Sequence, residues 1–178
     1  MLPPIEELNG LDRDEFERAL APLFEGAPRF CARLANGRPY AGYGQLLDRA
    51  ALAVRELPEE EQLELIDCHP RIGADPRTVS AISRREQGYD TGDPEAAAAR
   101  QALQTQAALD GLNAAYERQF GFRFVVHVAG RPRAAIVPII EAALRRRRTD
   151  EIERALSDIV AIARDRLSTL AAAQEERV

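Results

Sequence analysis

One run in this chain, Phe122-Arg123-Phe124-Val125-Val126-His127-Val128, carries the β-branched and aromatic density of a strand, and it is bracketed by Gly121 and Gly130. A single strand cannot build a sheet. The run is therefore read as an extended segment within a helical fold, since apolar residues elsewhere recur at the three- and four-residue spacing of one helix face. The apolar fraction of 46 % comes mainly from Ala, Leu, Ile and Val, with no Trp, which suits helix against helix. These features predict an all-α fold, a single-domain helical bundle over residues 1–170 with a frayed tail at 171–178.

Asp12-x-x-Glu15 has the pattern of a capping box, and behind it Phe16, Leu20, Leu23 and Phe24 repeat at helical spacing. Pro28 opens a second helix through Leu34, which Asn36-Gly37 stops in the manner of a C-terminal glycine cap. A third spans residues 44–57, with Leu46, Leu47, Ala50, Ala53 and Leu57 inward. Pro58 and the acidic Glu59, Glu60 and Glu61 begin a fourth, which reaches Cys68 and is halted at His69 by Pro70. Gly73, Pro76, Gly88, Gly92 and Pro94 then break the chain into loops around one short helix, capped by Thr78, with Val79, Ile82, Ser83 and Glu86 on one face. Asp93-Pro94-Glu95 starts a long helix through Gln119 that closes near Gly121. A further helix, with Pro138 in its first turn or at a kink, extends to about Arg147. The last begins at Thr149 or Asp150 and reaches at least Leu170.

A net charge of -5 argues against nucleic acid or an anionic membrane as the main partner and points to a small molecule. Cys31 and Cys68 are too few for a disulfide framework and read as reduced thiols. The only histidines, His69 and His127, have neither the spacing of a helical zinc pair nor a Cys-x-x-Cys beside them, so no metal site is expected. No basic head precedes an apolar run near Met1, and no stretch of about 18 apolar residues occurs, so a cytoplasmic location is expected.

Two residues stand out for chemistry. His69 lies at a helix C-terminus, where the dipole favours the imidazolium and Pro70 fixes the exit of the chain. It reads either as a cap on the last carbonyls or as an aimed acid-base group. On the last helix Ile152, Leu156, Ile159, Ala163, Arg166 and Leu170 fall in one stripe, while Glu153, Arg154, Asp158 and Asp165 point away. Arg166 then reads as a snorkelling side chain, a buried ion pair, or a planar fork facing an anionic ligand. Ser83-x-x-Glu86 lies too close to Gly88 to open a helix, so Glu86 and Gln87 fall near a loop, where a carboxylate can hold an imidazole's tautomer and raise its basicity. Spacing assigns His127 no role, and Arg145 to Arg148 read as solvated cations at a helix C-terminus.

Taken in order, His69-Pro70, then Ser83-x-x-Glu86-Gln87, then Leu112-Asn113-x-x-Tyr116-x-x-x-Phe120-Gly121-Phe122-x-Phe124-Val125-Val126-x-x-x-Gly130, then Ala155-Leu156-x-x-Ile159-x-x-Ile162-Ala163-x-x-Arg166-Leu167 resembles the 2-oxo-4-hydroxy-4-carboxy-5-ureidoimidazoline (OHCU) decarboxylases of urate breakdown. The likeness extends upstream through Leu23-Phe24-Glu25 and Pro28 to Asn9. It implies a helical, often homodimeric enzyme that removes CO2 from OHCU and delivers (S)-allantoin without metal or organic cofactor. It also implies His69 as acid-base catalyst with Glu86 beside it. Pro70, Ser83, Gln87 and Arg166, with Phe124, Val125, Val126, His127 and Val128, would bind the substrate. The chain departs from the family's pattern at Arg71-Ile72-Gly73 and at Gly88-Tyr89-Asp90, differences that bear on substrate preference. An enzyme of the same fold acting on a related ureido or imidazoline acid, and a non-catalytic helical binding module, are the alternatives.

Overall fold

The computed structural model describes residues 2–74, 80–87 and 96–175, and among these no strand occurs. The helices are α1 (Ile5–Gly10), α2 (Arg13–Phe24), α3 (Pro28–Asn36), α4 (Tyr43–Glu56), α5 (Glu59–Cys68), α6 (Ala81–Glu86), α7 (Ala96–Phe120), α8 (Val137–Ala143) and α9 (Arg148–Glu175), with a 3-10 turn at Arg133–Ala135. The chain divides into two compact units, one built from residues up to His69 and from Leu156 onward, the other from Pro70–Ala155.

In the first unit α2 begins as its sequence predicts. Asp12 Oδ1 accepts the Glu15 amide at 2.8 Å, and Glu15 Oε2 accepts the Asp12 amide at 3.3 Å. Phe16, Leu20, Leu23 and Phe24 are all buried, and Phe24 meets Phe30 of α3 edge-on at 5.1 Å. The helix stops on two left-handed residues, Glu25 (φ 52°) and Gly26 (φ 74°). Gly37 is not a left-handed cap, since its φ is -86°. What requires glycine there is space, because a Cβ would lie 2.6 Å from Tyr40 Oη, the hydroxyl that donates to the Leu34 carbonyl.

Helix α1 was not expected, being short and without a side-chain cap. Its Leu8 is nevertheless fully buried, and the Asn9 amide pairs with both backbone groups of Tyr40, at 2.8 and 2.9 Å. In α4 Leu46, Leu47 and Ala50 turn inward as expected, but Val54 takes the core place assigned to Ala53. Leu57 leaves the helix for an extended conformation because Pro58 follows it. The same rule ends α5 at Cys68 and leaves His69 extended, with ψ 139°.

In the second unit Ser80 opens α6, its hydroxyl accepting the Ser83 amide at 3.1 Å. Thr78, Val79, Gly88-Tyr89-Asp90 and Asp93-Pro94-Glu95 lie outside the described residues. Helix α7 closes at Gly121, whose φ of 81° suits glycine, with Leu109, Tyr116 and Phe120 buried. Pro138 lies in the first turn of α8, which ends at Ala143 rather than near Arg147. The basic run 145–148 is therefore a turn into α9 and not a helix C-terminus. Arg147 pairs with Asp150 at 2.8 Å, and Arg148 caps the Phe120 carbonyl at 2.9 Å. At its other end α9 continues to Glu175, carried past Leu170 by the strong helix formers Ala171, Ala172 and Ala173.

Candidate active site

The residues singled out by the sequence divide between the two units: His69 and Arg166 fall in the first; Pro70, Ser83, Glu86, Gln87 and residues 124–128 in the second.

His69 is 2 % exposed, and its Nδ1 lies 3.0 Å from the Leu65 carbonyl. A carbonyl can only accept, so Nδ1 carries the hydrogen and, in the neutral ring, Nε2 carries the lone pair. Burial pushes the imidazole down to about 4. The Leu65 carbonyl and the Glu25 carboxylate favour the charged form, while the Arg166 guanidinium opposes it. The dipole argument for a standing imidazolium is thus overturned, because desolvation outweighs the helix end. Of its two readings the cap is present: the bond to a last-turn carbonyl selects the tautomer.

Arg166 is equally buried, at 2 % exposure, and its Nη2 donates to Glu25 Oε1 at 2.7 Å while Nη1 reaches the Pro22 carbonyl at 3.3 Å. Of the readings open from its place in the apolar stripe, the buried ion pair is present. Glu25 received no role from sequence because nothing periodic links it to residue 166. The demand of a buried cation for a carboxylate is the signal that could have found it.

In the second unit Ser83 and Gln87 are buried and Glu86 and Pro70 half-buried. The Gln87 side chain accepts the Gly73 amide at 2.8 Å and donates to the Arg71 carbonyl at 3.4 Å. Asn113 and Gln106, both on α7, donate to the carbonyls of Ile72 and Gly73 at 2.9 and 2.7 Å. Three side-chain amides therefore hold the backbone that follows Pro70; sequence reasoning assigns a site role only to Gln87 and places Asn113 in the family motif without one. Arg71, the departure beside His69-Pro70, is engaged by the Glu117 carboxylate through Nε and Nη2.

Along the extended segment Phe124, Val125 and Val128 are buried, and Val126 and His127 are half-buried. Arg154 does not point away as its place on the helix wheel suggests. It donates to the Val125 carbonyl at 2.7 Å, and its guanidinium lies 4.7 Å over the Phe124 ring.

Among the described residues no group of three or more His, Cys, Asp or Glu could hold a metal ion, and no helix is long and apolar enough to cross a membrane. Cys31 is a buried thiol, pushed up to about 12 by desolvation. An open cleft of about 430 Å³ between Pro3, Tyr43 and Leu167 holds none of the predicted residues.

Known proteins resemble this chain over nearly its whole length. A protein of Haloferax volcanii named 2-oxo-4-hydroxy-4-carboxy-5-ureidoimidazoline decarboxylase is 28 % identical over 92 % of this chain and 94 % of its own. A uric acid degradation bifunctional protein of Bacillus subtilis is 31 % identical over 93 % of this chain, which spans only 32 % of that longer protein. A similar protein of Bacillus sp. is matched at 29 % identity over the same shares. The fold is shared with an OHCU decarboxylase crystallised in the presence of (S)-allantoin, with a TM-score of 0.67 at 19 % identity over 86 % of this chain and 96 % of that one. It is shared also with an (S)-allantoin synthase, with a TM-score of 0.65 at 17 % identity over 93 % of this chain and 54 % of that one. The family model for OHCU decarboxylase matches residues 9–168, a span that takes in His69, the Ser83 to Gln87 stretch, the extended segment and Arg166, and the chain belongs to that family.

Proposed function

We propose that this protein converts OHCU to (S)-allantoin and CO2, with His69 moving the protons and Glu86 assisting it. The observation that carries the proposal is the His69 ring, buried, neutral at pH 7 and fixed through Nδ1 so that Nε2 is the proton acceptor. The substrate supplies its own electron sink. When the bond from carbon 4 to the carboxylate breaks, its electron pair moves toward the adjoining C=N bond, whose nitrogen takes a proton and leaves an enol. The enol hydroxyl then loses its proton as carbon 5 gains one, and delivery to one face sets the S configuration. The nitrogen's proton comes from water, the one proton the reaction consumes overall. A single imidazole that accepts the hydroxyl proton and returns it to carbon 5 serves the second step. The arriving substrate carboxylate raises the basicity of His69 by adding negative charge to a site poor in water.

Pro70, Ser83, Gln87, Arg166 and residues 124–128 are the substrate-binding set in this reading. The reaction needs no metal or organic cofactor, and the enzyme works as a cytoplasmic homodimer. The test is to follow OHCU, freshly generated, by its absorbance and the product by its chirality, in the presence of a chelator. Wild-type protein should deliver (S)-allantoin, and His69→Asn should lose about a hundredfold or more of the rate while keeping its helical spectrum. A His69→Asn variant as fast as wild type would sink the assignment, and turnover of only a related ureido acid would redirect it.

A further inference from the structure

Three carbonyls of the segment 122–128 accept hydrogen bonds from arginine side chains. Arg131 Nε serves Val128 at 2.9 Å and its Nη2 serves His127, while Arg154 Nη1 serves Val125 at 2.7 Å. Arg154 is itself gripped: its Nε donates to Glu151 Oε2 at 2.8 Å, and Tyr116 Oη donates to the same oxygen at 2.9 Å. Glu151 is fully buried, with Arg146 3.5 Å from its other oxygen. The Tyr116 ring also stands edge-on to Phe122 at 5.6 Å and to Phe124 at 5.1 Å. A buried guanidinium-carboxylate pair adds little stability over apolar residues of the same volume, but its planar fork fixes direction. Here that direction ends on one carbonyl of the segment.

We propose that Tyr116, Glu151 and Arg154 are positioning residues that hold the backbone of residues 124–128 in place for the substrate. The inference rests on the reading of that segment as substrate-binding. None of the three need touch substrate. They act through the Val125 carbonyl and the Phe124 ring, so loosening them should weaken ground-state binding more than it slows the proton transfers at His69.

Arg154→Met keeps an apolar stem over Phe124 and removes both donors; Arg154→Lys keeps the charge but not the fork. With OHCU as substrate, Arg154→Met should raise KM about tenfold or more with kcat within about threefold of wild type, and Arg154→Lys should recover part of the loss. Amide hydrogen exchange in the substrate-free protein should accelerate across residues 122–128 and stay unchanged in α2 and α5. An unchanged KM, or a fall in kcat alone, overturns the proposal, as does unchanged exchange in the segment. If wild-type protein leaves OHCU untouched, the decarboxylase reading fails on its own, and exchange in the segment still decides whether the three residues hold it. If Arg154→Met does not fold, Glu151→Gln gives the same two readouts.

Discussion

Arg166 and Arg154 lie on the same helix, α9, each paired with a glutamate, yet the partner of Arg166 is 141 positions away and that of Arg154 only three. The distant pair joins α9 to the left-handed end of α2, and its energy depends on tertiary structure being intact. The local pair is brought together by the helix itself, since residues three apart share a face. That leaves Arg154 with a donor to direct at the Val125 carbonyl, whereas two donors of Arg166 go to Glu25 and Pro22 within its own unit. A tertiary pair holds elements together and tunes a neighbour; a local pair can be a ready-made tool applied to another segment.

The sharpest way to break this contrast is to remove Glu25. Glu25→Ala leaves a guanidinium at 2 % exposure without its carboxylate, and a loss of about 3–5 kcal/mol in urea unfolding is expected. Adding Arg166→Met to that variant should restore much of the loss, because an apolar stem of similar length tolerates the buried position. Were Glu25→Ala to cost less than about 1 kcal/mol, the distant pair would be no more than a contact of convenience.

Next in size is the effect of pH on the unit that holds His69. Its folded value of about 4 lies below the ordinary 6.5, so between these values the unfolded chain binds more protons than the folded one. Stability rises with pH through that window. The contribution is complete above about pH 6.5 and is lost as pH falls toward 4, an effect on the order of 3 kcal/mol. His69→Asn should flatten unfolding free energy against pH over this range. The second unit has no buried histidine among its described residues, so the slope belongs to the first.

How far each arrangement could be read from sequence follows the same division. The stripe that placed Arg166 inward and the His69-Pro70 boundary are local patterns, and both stand in the structure. Helix α2 was legible to its cap because Asp12, Glu15 and four apolar residues all report the same element. Glu25 was invisible as a partner because tertiary distance has no period. Arg154 was placed wrongly because a helix wheel assumes one buried face, while the extended segment gives α9 a second neighbour. Gln106 escaped notice, and Asn113 stood in the family motif without a role, for a related reason: amides that hold backbone carry no charge or spacing to mark them.

The smallest effect probes whether the local pair is as self-sufficient as its spacing implies. Tyr116→Phe removes one hydroxyl from Glu151 Oε2 and leaves the Arg154 bond to the same oxygen, along with the ring's contacts to Phe122 and Phe124. A cost of about 1 kcal/mol in urea unfolding is expected, the ordinary worth of a single hydrogen bond. The phenol is held well above its usual range by burial and by the Glu151 carboxylate, so it stays protonated and donating from neutral to mildly alkaline pH. Its loss should therefore be the same at pH 6 and pH 9, unlike the slope set by His69. A cost above about 3 kcal/mol would mean that the phenol, and not the helix, keeps Glu151 and Arg154 together, and the local pair would then be as dependent on tertiary structure as the distant one.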